Sequence, residues 1–412
     1  MTRYCLRQPK MIEVFSAGWY KAPGWHYNPA MSDLNLPPPQ WIATPAALRR
    51  MVQDLLHCTQ VAVDTESNGL HAYQEQVCLL QFSTGEVDYL VDPLALDDLS
   101  PLGPIFANPA IEIIFHAAEY DILCLKRDFG FRFSRLFDTM AACRILSKKD
   151  FGLGSVLENE FGVKLDKRYQ RSNWARRPLP EVMQSYARLD SHYLIELRDR
   201  LQRELVEKDL LPLAEEDFRR LMNTPAAPLE VDPPTCWKVA GKNDVDPHQA
   251  AVLQALCDFR DQQARYSNLP PFRILPDGVL VDLARTSPNS LEELANAPGL
   301  SPKIFDRYGL GLLDALEHGR QARPIYPPRN STRPSQAYLH RLDALRQWRK
   351  ELGRELEVES DVVMPRDLLE TLCQVNPRTR EELAQVMADY PWRLERFGDQ
   401  ILTVLQQRGN HQ

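Results

Sequence analysis

Shifting the chain by 89 positions lays residues 256–316 on residues 345–405 without a gap, and sixteen of those 61 pairs are identical. Random pairing at average residue usage would match roughly four. The shared positions include Pro276 with Pro365, Glu292-Glu293-Leu294-Ala295 with Glu381-Glu382-Leu383-Ala384, and Gly309 with Gly398. Unmatched positions often keep their character, as in Phe259 with Trp348 and Tyr308 with Phe397. Each copy has helical periodicity and runs to about 75 residues, longer than a usual solenoid repeat and enough for one small bundle. The C-terminal half is therefore expected to be two all-α bundles, at 244–322 and 335–408, joined by a linker at 323–334.

The N-terminal half has a different grammar. Residues 1–40 are aromatic and Pro-containing without helix or strand period, and Met31 stands where a natural start would fit. From Thr44, "TPAALRRMVQDLL" predicts a helix with Thr44 as N-cap and Pro45 in the first turn. "QVAVDTE" reads as a strand, "VCLLQFSTGEVDYLVDP" as two strands around a Gly-containing turn, and "IEIIFHA" as a fourth, followed by a helix ending at Gly130. Further helices are expected at 138–146, 153–161, 180–206 and 212–222. Strands first, then strand and helix mixed, predict an α/β domain with a central mixed sheet over residues 41–222. The stretch 223–243, rich in Pro and Ala, reads as a linker.

Bulk properties exclude several classes. No apolar run approaches the roughly 18–20 residues that span a bilayer, and the N-terminus has no export signal, so a cytoplasmic, membrane-free protein is expected. Eight cysteines without C-x-x-C spacing give neither a disulfide framework nor a zinc cage. No G-x-x-x-x-G-K-[ST] loop exists, so no nucleoside triphosphate is expected as a partner and a helicase motor is excluded. The net charge of −7 argues against a basic coat. Yet "KLDKRYQRSNWARR" at 164–177 carries six cations against one acid, with Tyr169 and Trp174 interleaved, and residues 320–333 hold four arginines and no acid. Either run can be a solvated loop or a phosphate-binding one.

The chemistry concentrates in acids at element ends. Asp64 and Glu66 are two apart on a strand and so share a face, where their repulsion is relieved by a hard cation such as Mg²⁺ or Mn²⁺. An isolated D-x-E more often has one acid turned to solvent. Asp121 falls on the apolar face of its helix, with Ala117 and Leu125 four residues either side, and wants a partner. Tyr186 and Asp190 are four apart and share one helical face. Asp138 reads as a helix N-cap and Asp92 as a turn residue.

Together, "VDTE", "FHAAEYD" and "YARLDSHYL" resemble the three motifs of the DEDD exonucleases in their tyrosine-bearing branch, and within it the ribonuclease D family. "RYQRSNWARRPLPEVMQSYARLDSHYL" is especially close, and the repeated unit is similar to the helicase-and-ribonuclease-D C-terminal (HRDC) domain. The second copy has lost the "LSPK" of residues 300–303. The resemblance covers roughly residues 40 to 408. It implies a ribonuclease H-like fold, with Asp64, Glu66, Asp121 and Asp190 holding two divalent metal ions and Tyr186 orienting the attacking water. One ion would generate the nucleophile and the other stabilise the departing 3′-oxygen.

It also implies a 3′→5′ exoribonuclease that trims structured RNA with a single-stranded 3′ end, tRNA precursors among them, acting as a monomer. His116 would reach the terminal nucleotide. Thr65, Gly69 and Leu70 would meet that nucleotide through backbone and an apolar wedge. Arg168, Arg171 and Arg176 would follow phosphates, with Trp174 either packing or stacking on a base. After Glu66, "SNGLH" departs from the aromatic-rich continuation common in bacterial members and is nearer the Gly-Leu turn of proofreading exonucleases. A DNA exonuclease and a non-catalytic nucleic-acid-binding accessory remain as alternatives; the second predicts loss of a metal ligand, and all four acids are present.

Overall fold

A computed structural model describes residues 36–226, 235–241, 244–326 and 334–406. The first 35 residues, most of the proposed first linker and the Arg-rich stretch 327–333 lie outside the described residues.

Six strands form one mixed sheet: β1 (Gln40–Ile42), β2 (Gln60–Ser67), β3 (Val77–Ser83), β4 (Asp88–Val91), β5 (Glu112–Phe115) and β6 (Leu136–Asp138), in the order β1-β4-β3-β2-β5-β6. β2 is antiparallel to β3 and parallel to β5, and β5 is parallel to β6. Since β2 and β5 are parallel neighbours, their C-terminal ends open on the same edge of the sheet, where sites of α/β domains gather. β1 and β6 were not among the expected strands. Each has three residues, too few for a period-2 pattern to register.

Helices α1 (Pro45–Leu56), α2 (Gly103–Ala107), α3 (Ala118–Phe129), α4 (Thr139–Ile145), α5 (Leu153–Phe161), α6 (Glu181–His192), α7 (Leu194–Glu207) and α8 (Leu211–Met222) surround the sheet. Thr44 caps α1 as expected, its hydroxyl accepting from Ala47 N. The single helix expected over 180–206 is two, interrupted at Tyr193. Beside the break, a buried network holds α6 to the sheet. Asp88 on β4 accepts from Arg188, from Ser83 at 2.7 Å and faces His192 Nδ1 at 2.9 Å, while Arg188 also donates to the Pro37 carbonyl at 2.6 Å.

The remainder is helical: α9 (Cys236–Val239), α10 (Pro247–Ser267), α11 (Pro271–Ile274), α12 (Asp277–Thr286), α13 (Leu291–Ala295) and α14 (Pro302–Gln321), then α15 (Gln336–Glu355), α16 (Ser360–Val363), α17 (Arg366–Val375), α18 (Arg380–Val386) and α19 (Pro391–Gln406). α15 to α19 each begin 89 residues after their counterparts α10 to α14 (336 − 247, 366 − 277, 391 − 302). Equivalent contacts recur. Phe259 meets Tyr308 edge to face at 6.2 Å and Trp348 meets Phe397 at 6.1 Å; Arg260 donates to the Leu275 carbonyl at 3.0 Å and Arg349 to Met364 at 2.9 Å. The linker expected at 223–243 is shorter than its composition suggested, because Cys236 and Ala240 are buried in the core of the first bundle.

Candidate active site

Strand β2 runs buried from Val61 to Val63 and then reaches the open edge, where Asp64 and Glu66 emerge on one face. The register with β3 slips between Glu66 and Ser67, so a bulge ends the strand just past the second acid. From the neighbouring parallel strand, the chain turns through Ala117 in the left-handed region (φ 69°) into α3. A left-handed alanine costs roughly 1–2 kcal/mol, and the Asp138 carboxylate offsets it by accepting the N–H groups of Ala117 at 3.3 Å and Ala118 at 2.6 Å. Asp138 also caps α4 through Ala141 N at 2.8 Å, so the expected N-cap serves two helices. Ala117 therefore lies outside the helix on which the sequence pattern placed it. Asp121 follows in the first turn, 8% exposed.

Asp64, Glu66 and Asp190 each offer one carboxylate oxygen, and the three lie within 4.8 Å of one another. Asp121 is set just outside this group: it accepts a hydrogen bond from the Thr65 hydroxyl at 2.5 Å, yet its charge is the largest acting on Asp64. Burial, and then mutual repulsion, hold Asp64 and Glu66 far above the usual carboxylate range; burial does the same to Asp190 and lifts Asp121 to about 7. Among the described residues none of the four forms an ion pair; the charges that raise Asp64 are all carboxylates. Clustered hard oxygen donors with no cationic side chain among them are what a hard divalent cation requires, so the donor set fits Mg²⁺ or Mn²⁺.

Tyr186 stands beside this cluster. Burial, followed by the charges of Asp190, Glu66 and Asp64, drives its pKa strongly upward. The phenol keeps its proton. Its ring is covered by the basic segment 164–177: Tyr169 lies at 5.5 Å and Trp174 at 6.1 Å between centroids. Trp174 is 1% exposed, so of its two expected roles it packs and does not stack on a base.

The remaining sequence candidates are sorted by their partners. Arg168 is paired with Asp166, Lys164 with Glu158 and Arg177 with Asp92, whereas Lys167, Arg171 and Arg176 make no ion pair among the described residues. Asp92 is thus a buried counter-ion as well as the expected turn residue. His116 is partly buried, its Nδ1 held by Thr139 and its Nε2 without a hydrogen-bond partner among the described residues. Thr139 donates to the Phe115 carbonyl at 3.0 Å, so it accepts from His116 Nδ1 at 2.9 Å, and burial lowers the histidine's pKa. Thr65 gives its side chain to Asp121 and pairs with Leu80 on β3. Leu70 is 44% exposed at the turn after Glu66, and Gly69 lies so close to Glu75 that a Cβ would meet its carboxylate. Gln170, Glu75 and the Asp88 network carried no local sequence signal; only partners far along the chain reveal the first and last of these.

Known proteins resemble both the domain that carries this site and the helical repeats that follow it. Residues 39–206 match the model of a 3′-5′ exonuclease family, and residues 249–316 and 339–405 each match the HRDC domain. The exosome complex exonuclease RRP6 of Saccharomyces cerevisiae is 33% identical over 270 residues, which is 61% of this chain and 37% of that protein. Ribonuclease D of Desulfotalea psychrophila is 29% identical over 71% of this chain and 78% of its own. The crystal structure of Escherichia coli RNase D, an exoribonuclease involved in structured RNA processing, superposes with a TM-score of 0.64 at 26% identity, covering 89% of this chain and 98% of that one. The chain spans about a third of the length of the first curated relatives it matches, 37% and 31% for the leading two. Fold and site together define a 3′-5′ exonuclease domain followed by paired HRDC domains. Residues 39–206 are similar to that exonuclease family, and the chain as a whole is ribonuclease D-like.

Proposed function

We propose that this chain is a metal-dependent 3′→5′ exoribonuclease that removes nucleoside 5′-monophosphates from structured RNAs with a single-stranded 3′ tail, precursor tRNAs among them. The observation that carries the reading is the convergence of Asp64, Glu66 and Asp190 oxygens within 4.8 Å, with Asp121 and Tyr186 alongside. Asp64, Glu66, Asp121 and Asp190 would hold two divalent ions. Such ions supply, near neutral pH, the acidified water and the positive charge that phosphodiester hydrolysis needs. The protein's own groups set the geometry. Thr65 fixes the Asp121 carboxylate, and Tyr186, whose phenol keeps its proton beside the cluster, would orient the attacking water through a hydrogen bond without acting as a base. Leu70 and the backbone of Thr65 and Gly69 would seat the terminal nucleotide. Arg171 and Arg176 would follow the phosphates upstream.

Digestion of RNA labelled at the 3′ or the 5′ end, with Mg²⁺ and with EDTA, tests polarity, product and metal need together. The expected result is immediate release of a 3′-labelled mononucleotide, stepwise shortening of the 5′-labelled strand and no reaction in EDTA. Asp64→Asn should lower kcat by a thousandfold or more while RNA binding survives. Undiminished hydrolysis by that variant would remove the site assignment, and preference for a matched DNA tail would move the substrate class to DNA.

A further inference from the structure

The loop leaving β2 returns to β3 past Glu75, and this one carboxylate gathers donors from β2 and α3, two of the three elements that carry the acids. Ser67, the residue after Glu66, donates its hydroxyl to Glu75 Oε1 at 2.6 Å. Tyr120, the residue before Asp121, donates its phenol to the same oxygen. Arg127, two turns further along α3, pairs with Oε2 at 3.2 Å and is itself held by Asp128 at 2.6 Å. Asp128 accepts the N–H of Val77 at 2.8 Å, where β3 begins. The loop backbone closes on the same group, since a Cβ at Gly69 would lie 2.6 Å from Glu75 Oε1. Burial acts to raise the Glu75 pKa, but the bonds from Ser67, Tyr120 and Arg127 outweigh it and hold it below the usual value, so the carboxylate is ionised at neutral pH.

Three of the four acids lie on β2 and α3, and without a cation the repulsion between them acts to drive these two elements apart. We propose that Glu75 is a positioning residue that clamps the end of β2 bearing Asp64 and Glu66 onto the helix bearing Asp121, and thereby sets how tightly the carboxylate cluster binds a divalent cation. This rests on reading that cluster as the metal site. Arg127 offsets part of the Glu75 charge, though it is shared with Asp128, so the clamp acts through its bonds and adds no cation to the site. Partners that orient metal ligands in this way are typically worth about 10–100-fold in metal affinity.

Calorimetric titration of the metal-free protein with Mn²⁺ tests this directly. Glu75→Ala should weaken Mn²⁺ binding by about tenfold or more, with kcat returning close to the parent value once Mn²⁺ saturates. Glu75→Gln, which keeps an acceptor for Ser67 and Tyr120 but loses the ion pair, should fall between. The double variant Ser67→Ala/Tyr120→Phe removes two donors and leaves the Arg127 pair, so it decides by the same criteria if Glu75→Ala does not fold. A folded variant that binds Mn²⁺ within twofold of the parent, or a kcat loss that saturating Mn²⁺ does not restore, overturns the proposal. Asp64→Asn is titrated in parallel. If it binds as the parent does, the cluster is not the metal site and both readings fall; if it alone loses binding while the Glu75 variants do not, only the clamp fails.

Discussion

Asp121 sits at the middle of its own titration near neutrality, because burial lifts it to about 7 against the pull of the Thr65 hydrogen bond, and Asp64, Glu66 and Asp190 are raised with it. Unfolded carboxyls titrate at about 4, so from there up to about pH 7 the metal-free folded protein binds more protons than the unfolded chain. The stability these groups contribute is therefore complete below about pH 4 and is lost as pH rises through their folded values. EDTA-treated protein should melt at a lower temperature at about pH 8 than at about pH 6, and saturating Mg²⁺ should close most of that gap, since a cation replaces the protons. Thermal melts at both pH values, with and without Mg²⁺, check this; metal-free melting that is indifferent to pH would remove the electrostatic account. Strand alternation places Asp64 and Glu66 together and helical spacing places Tyr186 over Asp190, but only the resemblance of the three motifs singled these acids out from the others at element ends. The residues that hold them were not legible. Thr65 reaches Asp121 across 56 residues and Asp88 reaches Arg188 across 100, and local periodicity says nothing about such pairs.

Among the elements, the segment 164–177 joins two jobs that its composition blurs. Its aromatic residues Tyr169 and Trp174 face inward onto Tyr186, while the cations divide into those spent on the protein and those left to solvent. Lys164, Arg168 and Arg177 are paired; Lys167, Arg171 and Arg176 are free of ion pairs among the described residues. Exchange of Arg171 and Arg176 for Glu should raise KM for tailed RNA several-fold and flatten the salt dependence of binding, by about 0.7 in log–log slope for each phosphate no longer neutralised. Lys164→Glu should do neither. Fluorescence-anisotropy titrations across a salt series measure both, and equal effects from the three substitutions would show that the segment acts through overall charge alone. Element boundaries were legible wherever a pattern had room to repeat, as in α1 and α5. They were lost for β1 and β6, and at Tyr193, where the apolar period continues through the break between α6 and α7.

At the scale of the molecule, the two copies of the helical unit have taken different attachments. The first keeps its own hydrophobic core and meets the nuclease domain mainly through polar bonds to the loop after β2, with Tyr73 donating to Asp261 at 2.6 Å and Arg273 to His71 at 3.1 Å. The second shares one continuous core with the nuclease domain. Its divergence from the first falls where it docks: Lys303, the last residue of "LSPK", and Ile304 after it, both in the first turn of α14, are replaced 89 positions on by Trp392 and Arg393. The Trp392 N–H donates to Glu216 of α8 at 2.8 Å, and Arg393, 1% exposed, pairs with Glu216 and with Asp217 at 2.9 Å. Removing one member of such a buried pair strands the other, at a cost of about 3–5 kcal/mol, whereas replacing both with apolar residues is often neutral. Arg393→Ile, which restores the first copy's residue type, should therefore lower the shared melting transition of nuclease and second bundle by several degrees. Adding Glu216→Leu should recover part of the loss, and the transition of the first bundle should not move in either protein. Differential scanning calorimetry resolves these cases. If Arg393→Ile melts as the parent does, the pair is not what joins the second bundle to the nuclease, and the shared apolar core alone accounts for the attachment.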